Sequence, residues 1–204
     1  MLPGEFEYRR ATSVEEAVSL LAENEEAKLL AGGHSLLPMM KLHFAAPSML
    51  VDIGGIQELV FTKQDGDSLV VGSMTTHAHI ASSDTVGAEY GALAEAAASI
   101  GDVQVRNRGT IGGSLAHADP AADYGAATLA LDAQIELMGP NGQRSVDATN
   151  FFSGFLSTSM EPAELITAIR FSSTGNSVSV YEKFAQPASG FAIVGVAAKI
   201  TKQD

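Results

Sequence analysis

The chain has 204 residues, 46% of them apolar, and a formal charge of −12, enough for one large domain or two small ones around a real core. That charge argues against a nucleic-acid binder, which needs a cationic footprint, and against an anionic membrane surface. Cysteine is absent, so disulfides, thiolate nucleophiles and cysteine-held iron–sulfur clusters are excluded within this chain.

The start of the chain shows no basic segment ahead of an apolar one, and no apolar run approaches a membrane span, so the expectation is a soluble cytoplasmic protein. Phe6 and Tyr8 alternate with polar neighbours as a short strand. Ser13 and Glu16 form a capping box, and a helix follows to about Ala22 with Val14, Ala17, Val18 and Leu21 on one face. Lys28 to Ala31 reads as a buried strand running into Gly32-Gly33-His34-Ser35. Leu36 to Leu42 continues as an apolar, helical segment interrupted near Pro38. A strand that feeds a glycine turn and then a helix places backbone amides at a positive helix end. His34 could bond a phosphate there or cap the turn.

Met49 to Ile53 is a second buried strand, closed by Gly54-Gly55, a pair without nearby hydroxyls. Val60 to Thr62 and Leu69 to Val71 flank Asp65-Gly66-Asp67-Ser68 as a hairpin; its two aspartates lack the further ligands of a calcium loop. His77 and His79 have no third metal ligand nearby, and on a helix they do not share a face. Asp84 to Ile100 reads as one long alanine-rich helix ended by Gly101. Tyr124 to Leu131 is a second such helix. Gln134 to Met138 and Gln143 to Val146 form a hairpin around Gly139 to Gly142. Asn150 to Phe155 is an aromatic loop or short helix. Strands follow at Leu165 to Phe171, Ser177 to Phe184 and Ala192 to Ile200, with a turn at Gly175-Asn176.

The stretch between the two alanine-rich helices, RNRGTIGGSLAHADPAAD from Arg106 to Asp123, is the expected centre of the chemistry. Gly109, Gly112 and Gly113 allow a tight turn, and Thr110 and Ser114 add hydroxyls. Successive amides in such a loop form a concave site for phosphate. With AGGHS upstream there are two Gly-Gly turns, each followed by Ser, which suits two phosphates or one dinucleotide. An ordinary tight turn would account for either alone. No two glycines stand two apart, so the G-x-G-x-x-G fingerprint is absent; Gly-Lys-Ser/Thr and G-x-S-x-G are absent too. A dinucleotide would therefore need another fold.

The paired signatures AGGHS and TIGGS resemble the two flavin-phosphate loops of the FAD-binding (medium) subunit of molybdenum hydroxylases, the carbon monoxide and xanthine dehydrogenase family. PGEFEYRRATSVEEAVSLL, VDIGGI, VGSMTTHAHI, QVRNRGTIGGSLAHADPAAD and YEKFAQPASGFAIVGVA extend the resemblance collinearly over essentially the whole chain. It implies an α+β, two-lobed FAD-binding fold of the vanillyl-alcohol-oxidase (PCMH) type over residues 1–175, with lobes at roughly 1–55 and 56–175. Residues 176–204 would open a C-terminal flavoprotein domain, most of which lies outside this chain; truncation or loss of the domain in this lineage would both account for that. An open ring pocket and weaker FAD binding than in longer relatives are expected.

The resemblance further implies that Lys28, Leu29, Leu30, Ala31, Gly32, Gly33, His34, Ser35 and Leu36 wrap the FAD pyrophosphate. Thr110, Ile111, Gly112, Gly113 and Ser114 would contact the pyrophosphate and ribityl region. Asp123 would accept from a cofactor hydroxyl. Ile100 and Ile166 would touch adenine or flavin, although plain core positions would explain both. Lys183 would lie near the isoalloxazine, or else be a solvated strand residue. Phe191 falls where relatives often carry a tyrosine against the ring. No metal site and no catalytic side chain are assigned. The implied role is electron transfer in a heterotrimer, or its dimer, with a large molybdopterin subunit and a small [2Fe-2S] subunit. Electrons would pass to an external acceptor: NAD⁺, oxygen, a quinone or another carrier. A stand-alone flavin oxidoreductase and a non-catalytic assembly module are the alternatives.

Overall fold

Two strands enter the first layer before its centre is laid down. β1 (Glu7–Arg10) and β2 (Ala27–Leu30) flank β3 (Met49–Asp52) in a parallel three-stranded sheet of order β1-β3-β2. The computed structural model describes residues 2–202. Parallel strands of one sheet need crossovers, and α1 (Val14–Glu23) supplies the first, from β1 to β2 across the place β3 later fills. Ser13 caps it by accepting from the Glu16 amide at 3.1 Å. The Glu16 carboxylate reaches back to the Thr12 amide at 2.7 Å, completing the expected capping box one residue early. Val14, Ala17 and Val18 are its buried face, spaced as a helical stripe requires. α2 (Leu36–Lys41) follows the first glycine turn without interruption. Pro38 lies in its first turn, where a missing N–H loses no hydrogen bond, so the expected break does not occur.

The second sheet is antiparallel. β4 (Thr62–Asp65), β5 (Ser68–Gly72), β6 (Gln134–Gly139), β7 (Gly142–Asp147) and β10 (Leu165–Phe171) stand in the order β4-β5-β10-β6-β7. Its hairpins obey turn chemistry: Gly66 takes φ +60° and Gly142 φ +98°, values glycine adopts without strain. The first hairpin is shifted from the expected strand at Val60 to Thr62, because Gln57–Leu59 forms a 3₁₀ turn and pairing starts at Thr62.

Helices α3 (His77–Ala81), α4 (Asp84–Glu89), α5 (Gly91–Ser99), α6 (Val103–Arg108), α7 (Ile111–His117) and α8 (Tyr124–Ala130) cover this sheet. The single helix expected over Asp84 to Ile100 is two. Tyr90, fully buried, leaves helical geometry at φ −122° and packs its ring, tilted by 57°, 6.1 Å from that of Phe171. Gly91 then runs against β11 (Ser177–Ala185), where an added Cβ would lie 2.5 Å from the Ser179 carbonyl oxygen. Core packing thus overrides a locally favourable alanine run. The larger apolar core, with Leu69, Leu93, Ile111, Leu115, Ile135 and Phe171, lies between these helices and the sheet. A smaller core beneath α1 joins β3 to Met74 and Leu165.

After β7 come α9 (Ala148–Phe151) and a short hairpin of β8 (Phe152–Gly154) and β9 (Ser157–Thr158), so the aromatic stretch is part helix and part strand. Gly175-Asn176 turns the chain, but β10 and β11 do not pair. β11 pairs with β12 (Ala192–Thr201) as a separate two-stranded sheet. Its inner face carries Ser179 and Tyr181, buried against α5. Its outer face carries Val178, Val180, Phe184, Val194, Val196 and Ile200, all exposed. Among the described residues, no helix is long and apolar enough to cross a membrane.

Candidate functional site

The first glycine turn leaves β2 and opens α2. Lys28 is exposed on β2, and Leu29 and Leu30 are half-buried there; Leu36 is the first helical residue. Gly33 takes φ +79°, in the left-handed region that favours glycine. Among the described residues, the amides of Gly32, Gly33, His34 and Ser35 donate to no protein acceptor. The chain therefore holds a row of backbone donors ready for a ligand.

The second turn differs, and the expected row of free amides is corrected here. Thr110 caps α7, its hydroxyl accepting from the Gly113 amide at 3.2 Å. Ile111 donates to Thr75, Gly112 to Ser73 at 2.8 Å, and Ser114 to Thr110. The amides of Ile111 to Ser114 are thus already engaged. Gly112 and Gly113 are needed for contact rather than for left-handed geometry: an added Cβ on Gly112 would meet the Ser73 Cβ at 2.5 Å. What this turn can present is the half-buried surface of Gly113 and Ser114; Ile111 is sealed in the core.

The two turns touch. A Cβ on Gly32 would strike the Arg108 carbonyl and lie 2.8 Å from the Gly109 Cα, while one on Gly113 would lie 3.5 Å from the Ala31 Cβ. The Arg106 side chain lies near this seam of an acidic protein. Arg106 sits at the end of α6, its guanidinium donating to the Ile100 carbonyl at 2.9 Å. Arg108 is next to Gly109. Burial, with the charges of His34 and Arg106 nearby, pushes the His77 pKa down to about 4. Free amides, a left-handed glycine and a nearby guanidinium fit a diphosphate.

Asp123 and Lys183, given separate cofactor contacts by the resemblance, face each other in the structure. The Lys183 ammonium lies 3.0 Å from the Asp123 carboxylate and donates to the Ser99 carbonyl at 3.0 Å. Tyr181 donates its hydroxyl to the same carboxylate at 2.6 Å. Burial, and then that hydrogen bond, raise the Tyr181 pKa well above its ordinary value. Lys183 is therefore a buried ion-pair partner and not a solvated strand residue; its side chain is 7% exposed. Ile166 belongs to the sheet core opposite Leu137. Ile100 ends α5 half-buried beside that core. Phe191 is half-exposed in the loop before β12. A cleft of about 320 Å³ is lined by Pro120, Ala122, Phe152, Tyr181, Gly195 and Ala192, the residue after Phe191, among others.

Tyr181, Tyr124 and Ser73 escaped sequence reasoning, and His77 entered it only as half of an H-x-H pair. In the structure His77 is buried and His79 exposed. Tyr181 is one position of a strand whose inner side was not identifiable until its partner helix was known. The only local sign was its alternation with Ser179 and Lys183.

The family described as the FAD binding domain in molybdopterin dehydrogenase matches residues 4–172. The chain is similar to the carbon monoxide dehydrogenase medium chain of Hydrogenophaga pseudoflava, 46% identical over 99% of this chain and 71% of that one. It is 39% identical to the glyceraldehyde dehydrogenase medium chain of Sulfolobus acidocaldarius, over 98% and 71% of the two chains. Among solved structures, carbon monoxide dehydrogenase from H. pseudoflava superimposes with a TM-score of 0.96, covering 100% of this chain and 72% of that one.

Proposed function

The chain belongs to the family of FAD-binding domains of molybdopterin dehydrogenases, and from that premise we propose that it is the electron-transferring FAD subunit of a heteromeric molybdenum hydroxylase. The observation that carries the reading is the seam where the open amides of Gly32 to Ser35 meet Gly109, in an acidic chain that places His34 and Arg106 there beside His77. FAD, when bound, supplies the redox chemistry; the protein supplies binding, orientation and electrostatics.

In this reading Ala31 to Leu36, with Lys28 to Leu30 leading in, hold the diphosphate through the open amides. Thr110 to Ser114 close the other side by packing. Asp123, braced by Tyr181 and Lys183, accepts from a cofactor hydroxyl through its remaining lone pairs. Lys183 adds a cation near the ring, and Phe191 packs against it. Ile100 supplies apolar contact; Ile166 acts from the sheet behind. Residues 1–175 form the FAD-binding unit, and β11–β12 opens a second one.

With no cysteine in this sequence, cysteine-held clusters have no ligands here; in this reading a small [2Fe-2S] subunit carries them and a large subunit carries the molybdopterin. Electrons arriving from them leave this chain for an external acceptor. The test is an absorption spectrum of the purified chain before and after adding FAD, followed by co-purification with the partner subunits. Stoichiometric bound flavin is expected; no binding at micromolar FAD overturns the reading.

A further inference from the structure

We propose that His77 is part of the diphosphate site: Tyr124 locks it in one neutral tautomer, its ring positions Gly109 where the glycine turns meet, and its Nε2–H is a donor held for the anion. The inference rests on the flavin reading of that same site and adds a residue to it.

Three backbone hydrogen bonds clamp the segment ahead of α3 to the second turn. His77 donates to the Gly109 carbonyl at 3.1 Å, Ile111 to Thr75 at 3.1 Å and Gly112 to Ser73 at 2.8 Å. The imidazole then lies directly against Gly109: an added Cβ there would be 2.5 Å from Nε2 and 2.8 Å from Cδ2. Gly32 presses on Gly109 as well. The ring therefore sets where the second turn stands relative to the first.

Tyr124 decides the tautomer. Its hydroxyl lies 3.1 Å from Nδ1 of His77, with the rings 5.3 Å apart. Burial raises the Tyr124 pKa well above the ordinary value, so the phenol keeps its proton. A buried O–H must be donated, and Nδ1 is its one partner among the described residues. Nδ1 is then an acceptor, which places the ring proton on Nε2. The residue is 4% exposed, and Nε2 has no protein partner among the described residues. Nor is Nε2 among the fully enclosed unpaired atoms, which include the Ser73 hydroxyl. A neutral, oriented donor beside His34 and Arg106 attracts an anion without adding a charge of its own.

The test uses the full chain. FAD and ADP are titrated into the parent, His77→Ala, His77→Gln and Tyr124→Phe, with thermal melts to establish folding. ¹⁵N-histidine NMR reads the tautomer before and after ADP. His77→Ala is expected to weaken both ligands about tenfold or more, the scale of a hydrogen bond to a charged acceptor. His77→Gln, which keeps an N–H near the Nε2 position, should recover most of that loss. The parent should show protonated Nε2, shifted by ADP, and Tyr124→Phe should lose the single tautomer and bind more weakly. A folded His77→Ala within twofold of the parent for both ligands overturns the inference while leaving the flavin reading intact. If His77→Ala does not fold, an unshifted Nε2 signal or a Tyr124→Phe chain of parental affinity overturns it instead. A parent that binds neither ligand overturns the flavin reading, and this inference with it.

Discussion

The two Gly-Gly turns look alike in sequence, Gly32-Gly33-His34-Ser35 and Gly112-Gly113-Ser114, and their physics is opposite. In the first, glycine supplies left-handed geometry and the amides stay open. In the second, glycine supplies closeness. It lets α7 pack onto the Ser73 backbone, and its amides are engaged within the protein. One turn is built to receive a ligand and the other to hold the first in place. A Gly-Gly pair is therefore not a single signal, and substitution separates its two uses.

The largest expected effect lies on the bracing side. Asp123→Ala strands the buried Lys183 ammonium and the Tyr181 hydroxyl, and should cost about 3 kcal/mol in urea unfolding without FAD. A loss under about 1 kcal/mol would show that the brace is dispensable. Close behind comes acid. His77 titrates near pH 4 when folded against 6.5 for an ordinary histidine, so the unfolded chain binds the proton first as pH falls. Stability from this group is complete above about pH 6.5 and declines down to about pH 4, by up to ~3 kcal/mol. The groups facing His77 are His34, Arg106 and Tyr124. Unfolding free energies of the parent and His77→Gln, measured from pH 7 to 4.5, should diverge in slope, and parallel curves would refute the assignment.

Gly112→Ala should be destabilising by about 2 kcal/mol, because the new methyl has no room against Ser73. Its melting point should fall by roughly 4–8 °C, with flavin binding changed only as far as folding is. Gly33→Ala is the converse and the smallest in stability. Its left-handed backbone costs about 1 kcal/mol, and the added methyl meets only flexible side chains, Leu37 at 2.9 Å and Leu30 at 3.4 Å. Its FAD affinity, read by fluorescence titration, should nevertheless fall about tenfold. If Gly112→Ala loses flavin at full stability, or Gly33→Ala loses stability at full affinity, the contrast between the turns collapses.

Much of the fold was legible because its signals are local. Ser13-x-x-Glu16 marks a helix start, Asp65-Gly66 and Asn141-Gly142 mark hairpins, and strand Leu165–Phe171 lies where its apolar run predicts. The family was legible from collinear motifs. The break at Tyr90 was not, because alanine neighbours favour helix and only burial against Phe171 opposes it. Within the site, the turn at Ala31 to Ser35 was readable from glycine and hydroxyl content. The state of the amides at Ile111 to Ser114 was not, since their acceptors include Ser73 and Thr75, more than thirty residues upstream.

The sequence by itself determined most of the strands, the cap at Ser13, the hairpin turns, the lack of any cysteine-held centre, and kinship to FAD-binding domains. Each depends on residue type or on neighbours within a few positions. Tertiary structure alone decided that Asp123 meets Tyr181 and Lys183 across 58 and 60 residues of chain, that His77 lies beneath Gly109 with Tyr124 behind it, and that one glycine turn stays open while the other is closed. Those pairings follow from how helices settle on a sheet, and an unsatisfied polar group becomes costly only once water has been excluded around it.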